Sequence, residues 1–529
     1  MHALARRLHP LALAALAALA PCHAHAASRP PVTATHALVT ADNAQASEAG
    51  AEMLRRGGDV VDAAVATALM LGVVQPFASG LGGGGFALVH RADGTPDYTL
   101  DFREVAPASA TATMFQDARG EVVPGASTRG PRAAGVPGEL SGLHALHRRH
   151  GKLPWKVVVE PALKAARDGF PAGALLELRV TKLRDEIARS PGLAADFLHA
   201  DGTPVKAGER VRRPDLARTL AEIARGGADV LYRGAVGRRL AAAMAKDNGL
   251  ITEADLAAYK PVERAPLSIE WRGHKVLSMP PPSSGGAVLL QVLRVLEPID
   301  LAASGHNSGR TLHRLAEALK HAFADRAAIM GDPDFTPVPV DAMLAAPAID
   351  RVRARTEPFR VQPSASYGAG YDLPADHGTS HLNVVDAAGN AIALTTTVNT
   401  NFGSLYVAGD TGLLMNDEMD DFVSKPGVPN AFGLVGREAN AIAPGKRPLS
   451  SMSPTLVLKD GKVVLAVGAS GGPTIITSTL QVLLSVMVFG MDPQAAVDAG
   501  RIHHQWKPET LAVEPEFPAD VVERLQSLG

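Results

Sequence analysis

In the stretch "DHGTSHLNVVDAAGN", Asp376 to Asn390, Gly378 stands directly before two hydroxyl residues, Thr379 and Ser380, and a strand-like run follows at once. A threonine in that position gains a specific chemistry if the chain is cut in front of it. Its own α-amine, with an ordinary pKa of about 7.7 to 8.0, is substantially neutral at working pH and can act as general base for its hydroxyl. Before the cut, the same oxygen can attack the carbonyl of Gly378 to form an ester that water opens. Glycine offers little steric resistance to the backbone twist this requires. Read alone, the segment fits an ordinary strand start better.

A rival nucleophile lies further on. Gly468-Ala469-Ser470-Gly471-Gly472 fits G-x-S-x-G between a strand and a helix, and Asp492 or Asp498, then His503 or His504, follow in the order acid then histidine. The chain ends too soon after Ser470 for the strand and helix units that normally follow such an elbow. The same glycines have another use. Pro473 suits the first turn of a helix, so Gly471 and Gly472 present backbone N–H groups at a helix N-terminus, ready for an oxyanion.

Other motifs exclude more than they offer. The run "GLGGGGFALVH", Gly80 to His90, follows a helix and leads into a strand, the reverse of a dinucleotide fold, and no Lys-Ser/Thr pair follows it. Close backbone packing is its better reading. His503-His504 lacks metal-ligand spacing. "PPPSSGG", Pro280 to Gly286, reads as a rigid turn.

The elements that must position these residues belong to a globular chain of 529 residues, 46% hydrophobic and 20% charged, with 51 Gly and 39 Pro. A net charge of −2 gives no basic field for nucleic acid or anionic lipid, which leaves a small molecule as the expected partner. Arg6 and Arg7, the apolar run Leu11 to Ala20 and Ala24-His25-Ala26 together read as an export signal over residues 1–26. Lipidation at Cys22 is the weaker alternative, because Pro21 stands where such a signal wants a small residue. Cleavage removes the only cysteine and with it any thiol mechanism. No later run reaches a membrane span.

Up to about residue 335 helical signals dominate, as in the stripe Leu312, Leu315, Leu319 and Phe323. Residues 332–375 are polar and rich in proline, as expected of an exposed connection. Strand patterns follow: Leu382 and Val384, a turn at Asp386 to Asn390, "AIALTTTV", and "TLVLKDGKVVLAV" with Asp460-Gly461 as its hairpin turn. Thr379 thus falls at a junction of loop and hairpin.

Taken together, the segments "GGDVVDAAVATALMLGVVQPFASGLGGGGF", "LDFREVAP", "RGPRAAGVPGEL", "MPPPSSGG", "TSHLNVVD", "NTNFGS", "NDEMDDF", "RPLSSMSPT" and "GASGG" resemble, in order, those of a bacterial γ-glutamyltransferase, a member of the N-terminal nucleophile hydrolases. The resemblance implies an α+β fold, a four-layer αββα sandwich. Self-cleavage would give a large subunit, 27–378, and a small one, 379–529, in one intertwined domain.

It further implies Thr379 as nucleophile, Thr397 as the residue that orients it, and Gly471 and Gly472 as the oxyanion hole. Arg103, with Ser450 and Ser451, would hold a substrate α-carboxylate, a match of guanidinium and hydroxyl donors to a carboxylate. Asn399, Glu418 and Asp421 would surround the α-ammonium. The implied activity is double displacement on glutathione-like γ-glutamyl amides, passing the acyl group to water, amino acids or short peptides, in an exported or periplasmic enzyme needing no metal or organic cofactor. A glutaryl or cephalosporin acylase of the same superfamily, a serine hydrolase using Ser470, and a binding protein with a dead site are the alternatives. Two departures stand out. Phe432 occupies a lid-like segment where some relatives carry tyrosine, and relatives usually run beyond the position of Gly529 into a final hairpin, which implies an uncovered strand edge.

Overall fold

The computed structural model describes residues 29–363 and 378–529. The export signal read at 1–26 lies outside them. Two antiparallel sheets form the centre. The first runs in the order Ala37–Ala41, Ser380–Asp386, Ala391–Thr397, Gly84–His90, Tyr98–Phe102, Val262–Arg264, and the second Lys462–Val467, Thr455–Lys459, His274–Ser278, Leu267–Trp271. Both sheets combine strands from either side of residue 378, so a cut there would leave the two parts interleaved.

Side-chain alternation sorts these strands into layers. Ala391 and Ala393, with Leu88, pack against Leu277, Leu456 and Leu458 of the other sheet. Their neighbours Ile392, Leu394, Ala87 and Val89 turn the opposite way, into a core shared with the helices Ala44–Arg55, Val60–Val74 and Glu139–His150. Val276 and Val457 face the second helical layer, Gly285–Leu296, Gly309–Ile329 and Thr474–Met487. This is the expected αββα sandwich. The helix Val60–Val74 is apolar on all sides because it is enclosed on all sides, apart from half-buried Gly72. Each buried valine or leucine in it contributes about 1.5–3 kcal/mol. Asp59 and Asp62 fix its start through a reciprocal capping box.

The glycine run does serve close packing. A Cβ on Gly82 would lie 2.0 Å from the Leu414 carbonyl oxygen, and one on Gly83 2.0 Å from that of Thr397. Asp460 (φ 50°) and Gly461 (φ 75°) both take the left-handed conformation that a two-residue hairpin turn needs.

Two expectations need correction. The stretch before residue 335 supplies six strands of the two sheets as well as helices. Gly84–His90 is covered along its whole length and reads as an apolar run that periodicity cannot separate from buried helix, while Ala37–Ala41, Val262–Arg264 and Leu267–Trp271 are too short for their alternation to stand out. Within the polar connection, Val340–Leu344 and Ala346–Arg355 are helical, and Val340, Met343, Leu344, Ile349 and Val352 enter the second core. Pro339 and Pro347 stand at helix starts, where a missing N–H costs nothing. Among the described residues, no helix is long and apolar enough to cross a membrane.

Candidate active site

Thr379 lies one residue before the strand Ser380–Asp386. Ser380 pairs with Thr396, so Thr379 comes opposite Thr397 with both side chains on one face. Their hydroxyl oxygens are 3.1 Å apart. Both approach the Gly378 carbonyl oxygen, Thr379 Oγ1 at 2.9 Å and Thr397 Oγ1 at 3.2 Å, so two hydroxyls donate to the carbonyl that would be attacked. The Asn399 N–H, donated to Thr397 Oγ1 at 2.9 Å, fixes that hydroxyl's rotamer. Asn399 itself is held at φ 79° and donates Nδ2 to the Asp417 carbonyl at 3.0 Å.

Across the cavity, the Lys462–Val467 strand ends and the chain turns through Gly471 (φ 111°) and Gly472 (φ 59°) into the helix Thr474–Met487. Their carbonyls accept from Thr474 and Ile475. Among the described residues neither glycine N–H donates to an acceptor, which leaves both available to an oxyanion.

Arg103, at the end of the Tyr98–Phe102 strand, is almost fully buried. Its Nε donates to the Pro448 carbonyl at 3.2 Å and its Nη2 to Asp421 Oδ2 at 2.5 Å. Nη1 lies 2.6 Å from Glu418 Oε2, an ion pair off the hydrogen-bond axis, and 3.8 Å from Glu104 Oε2. One guanidinium thus faces three carboxylates. Burial pushes all three acids up, Glu104 to about 8, with Arg103 pulling the other way. Burial opposes the charge on Arg103, but Glu418, Asp421 and Glu104 outweigh it and hold the cation.

Arg103, Thr379, Thr397, Asn399, Glu418, Asp421, Ser450, Ser451 and Gly472 line a single cavity, and Gly471 adjoins it through the chain. Ser450 Oγ accepts the Met452 N–H at 3.1 Å and keeps its own proton to give. The expected grouping therefore exists. One detail differs: the residues assigned to an ammonium and to a carboxylate bind each other.

Sequence reasoning missed the support for these groups. Ser283 and Ser284 hold the segment around Ser450, with hydroxyls donated to the carbonyls of Met452 at 2.6 Å and Ser450 at 2.7 Å. "PPPSSGG" is thus more than a rigid turn. Phe432 lines the cavity, its ring where a Gly472 side chain would be, while Asn430 and Gln505 hold its loop. The serine elbow is not assembled. Ser470 is exposed, His503 bonds Thr477 and Gln505, each at 2.9 Å, and Asp492 caps a helix. Among the described residues no group of three or more His, Cys, Asp or Glu is placed to hold a metal ion.

Comparison with known proteins places these residues in context. The family model described as Gamma-glutamyltranspeptidase matches residues 46–529. A glutathione hydrolase proenzyme of Escherichia coli K12 is 42% identical over 500 residues, 94% of this chain and 86% of that protein. One from Pseudomonas aeruginosa is 45% identical over 497 residues, covering 93% and 87%. Among solved structures, a cephalosporin acylase from Bacillus halodurans superimposes with a TM-score of 0.83 at 27% identity, over 97% of this chain and 91% of that one. The γ-glutamyltranspeptidase of Helicobacter pylori gives 0.62 at 37% identity, over 64% and 96%.

Proposed function

The chain belongs to the gamma-glutamyltranspeptidase family, and from that premise we propose that it is a self-processing γ-glutamyl transferase and hydrolase acting on glutathione and related amides. The observation that carries this reading is the single cavity in which Thr379 and Thr397 face Arg103, Asn399, Glu418, Asp421, Ser450 and Ser451. Only a ligand with a carboxylate and an ammonium at one end and an acyl carbon at the other uses all of them.

In the precursor, Thr379 Oγ1 attacks the Gly378 carbonyl carbon, the peptide C–N bond breaks, and the new ester is hydrolysed, leaving the Thr379 amine free. That amine then takes the hydroxyl proton as Oγ1 attacks the γ-carbonyl of the substrate, and gives it to the departing amine. Gly471 and Gly472 N–H groups stabilise the oxyanion, and water or an amino group releases the acyl ester. Arg103 exchanges Glu418 and Asp421 for the α-carboxylate, Ser450 and Ser451 complete that carboxylate's hydrogen bonds, and the freed acids, with Asn399, receive the ammonium. The leader at residues 1–26 would take the enzyme out of the cytoplasm. Denaturing electrophoresis with N-terminal sequencing tests the first step: two chains are expected, the smaller beginning at Thr379, together with release of p-nitroaniline from γ-glutamyl-p-nitroanilide. A single active chain would refute self-processing.

The likeness to a cephalosporin acylase favours a second reading, in which a glutaryl group is preferred. Glutaryl lacks only the ammonium, so it would leave buried Glu418 and Asp421 without a partner. Discrimination against it of up to roughly 10⁴-fold is expected. Equal cleavage of both p-nitroanilides would favour the acylase.

A further inference from the structure

Two residues beyond Thr379, inside the strand Ser380–Asp386 and on the face Thr379 shares, His381 is buried between the parts just described. Its Nδ1 is 2.9 Å from Thr395 Oγ1 on the paired strand, and its Nε2 is 3.1 Å from Asn383 Oδ1. Asn383 Nδ2 points to Thr40 Oγ1, so Oδ1 faces the ring, Nε2 carries the proton and Nδ1 accepts the threonine hydroxyl. The ring therefore repeats, one step along the strand pair, the contact that Thr379 makes with Thr397.

Its other side meets Gly468. A Cβ there would lie 2.2 Å from Cε1, 2.4 Å from Nδ1 and 2.6 Å from Nε2, so the ring fills the space of the missing side chain. Gly468 directly follows the Lys462–Val467 strand and opens the turn that ends in Gly471 and Gly472. Three residues of extended chain reach roughly 10 Å at most, so displacement at Gly468 is carried into that turn. Burial lowers the ring's proton affinity to about pH 4, so it stays neutral through the working range.

We propose that His381 is a positioning residue that sets the separation between the Thr379 hydroxyl and the Gly471–Gly472 N–H groups. The inference rests on the proposed γ-glutamyl chemistry, and concerns only the geometry at the tetrahedral stage. Misplacing reacting groups by about 1 Å can cost 10²-fold in rate, while ground-state binding at Arg103 is untouched.

Gly468→Ala provides the test, because its methyl must push the ring or the turn aside. Two ligands of the matured enzyme separate the effects. L-Glutamate reads the α-carboxylate and α-ammonium alone, whereas its γ-boronic acid analogue also forms a bond to Thr379 Oγ1 and places an oxygen against the turn. Gly468→Ala should lower kcat 10- to 100-fold and weaken the boronate by a similar factor, with KM and the glutamate Ki within twofold. In a His381→Asn background, where a smaller amide leaves room, the same substitution should cost no more than threefold. Unchanged kcat, equal loss of both ligands, or the same cost in both backgrounds would overturn the proposal. Should Gly468→Ala stay uncleaved, restored cleavage on adding His381→Asn supports the proposal and continued failure overturns it. Wild type is run alongside: if it does not cleave γ-glutamyl-p-nitroanilide, the functional reading fails rather than this one.

Discussion

At one end of the cavity Thr379, Thr397, Gly471 and Gly472 offer only neutral donors and acceptors, already within bonding reach or left open by the fold. At the other, Arg103 is buried against Glu104, Glu418 and Asp421, with close ion pairs to the last two and a longer contact to the first. In the uncut chain the reacting end needs no exchange of partners before Thr379 meets the Gly378 carbonyl. The recognising end must break its own pairs to admit a ligand, and it recovers that cost only when the ligand carries both charges. Turnover and binding should therefore separate by position. Substitutions at the reacting end should act on kcat and those at the charged end on KM.

The largest effect tests the neutral end. Thr379→Ala removes the oxygen proposed to attack Gly378 and to accept the acyl group, so a single uncleaved chain is expected with activity reduced at least about 10⁴-fold. Appreciable turnover by that variant would break the assignment of the reacting end. Next comes Arg103→Ala, which strands buried Glu418 and half-buried Asp421 and removes the proposed partner of the α-carboxylate. Truncating one partner of a buried charge pair formed on binding costs about 2–5 kcal/mol, so KM for γ-glutamyl-p-nitroanilide should rise roughly 30- to 3,000-fold. Arg103→Lys should recover only part of this, since an ammonium cannot hold Glu418 and Asp421 with a planar fork. A fall in kcat without a change in KM would erase the distinction between the two ends.

A smaller effect concerns protons. Glu104 is pushed up to about 8, so the folded protein retains a proton there that the unfolded chain releases at ordinary carboxyl pH. The stability this group contributes is complete below the unfolded pKa and is lost as pH rises through the folded one, because ionisation then occurs in a buried, acid-rich site. Thermal unfolding of wild type should therefore shift to lower temperature between about pH 4.5 and 8, and Glu104→Gln should flatten that decline by a few degrees. Equal slopes would show that Glu104 is not the group holding the proton.

The same contrast explains what the sequence disclosed. Neutral, backbone-defined features were readable: the change from loop to strand at Thr379, the Asp460-Gly461 turn, and the glycines whose missing side chains admit another backbone. Each depends on local conformation, which residue type constrains directly. The pairing of Arg103 with Glu418 and Asp421 spans more than three hundred residues, and no local pattern encodes it. Family likeness named those residues as ligands without showing that they bind one another in the free protein. Ser283, Ser284 and His381 escaped notice for a related reason. Their work is done by what the fold stacks against them, and at sequence level each is an ordinary polar residue in a turn or strand.

The smallest expected effect is at Ser470, where the two accounts of the "GASGG" turn diverge most sharply. If the turn is a nucleophile elbow, replacing the serine abolishes activity. If it belongs to the neutral end, only the N–H groups of the next two residues matter, and the side chain is dispensable. Ser470 is exposed; of the two histidines an elbow could use, His503 has both ring nitrogens engaged by Thr477 and Gln505, and His504 accepts the Trp506 N–H at Nδ1 and is pushed down to about 3 by burial. Burial also lowers His503 to about pH 4, too weak a base to draw a proton from a serine. Ser470→Ala should therefore be cleaved normally at Thr379 and keep kcat/KM within about twofold, as for other exposed substitutions that remove no contact. Covalent labelling of Ser470 by a fluorophosphonate with loss of turnover would reverse this conclusion. It would place the nucleophile on the turn and leave Thr379 as an ordinary strand start.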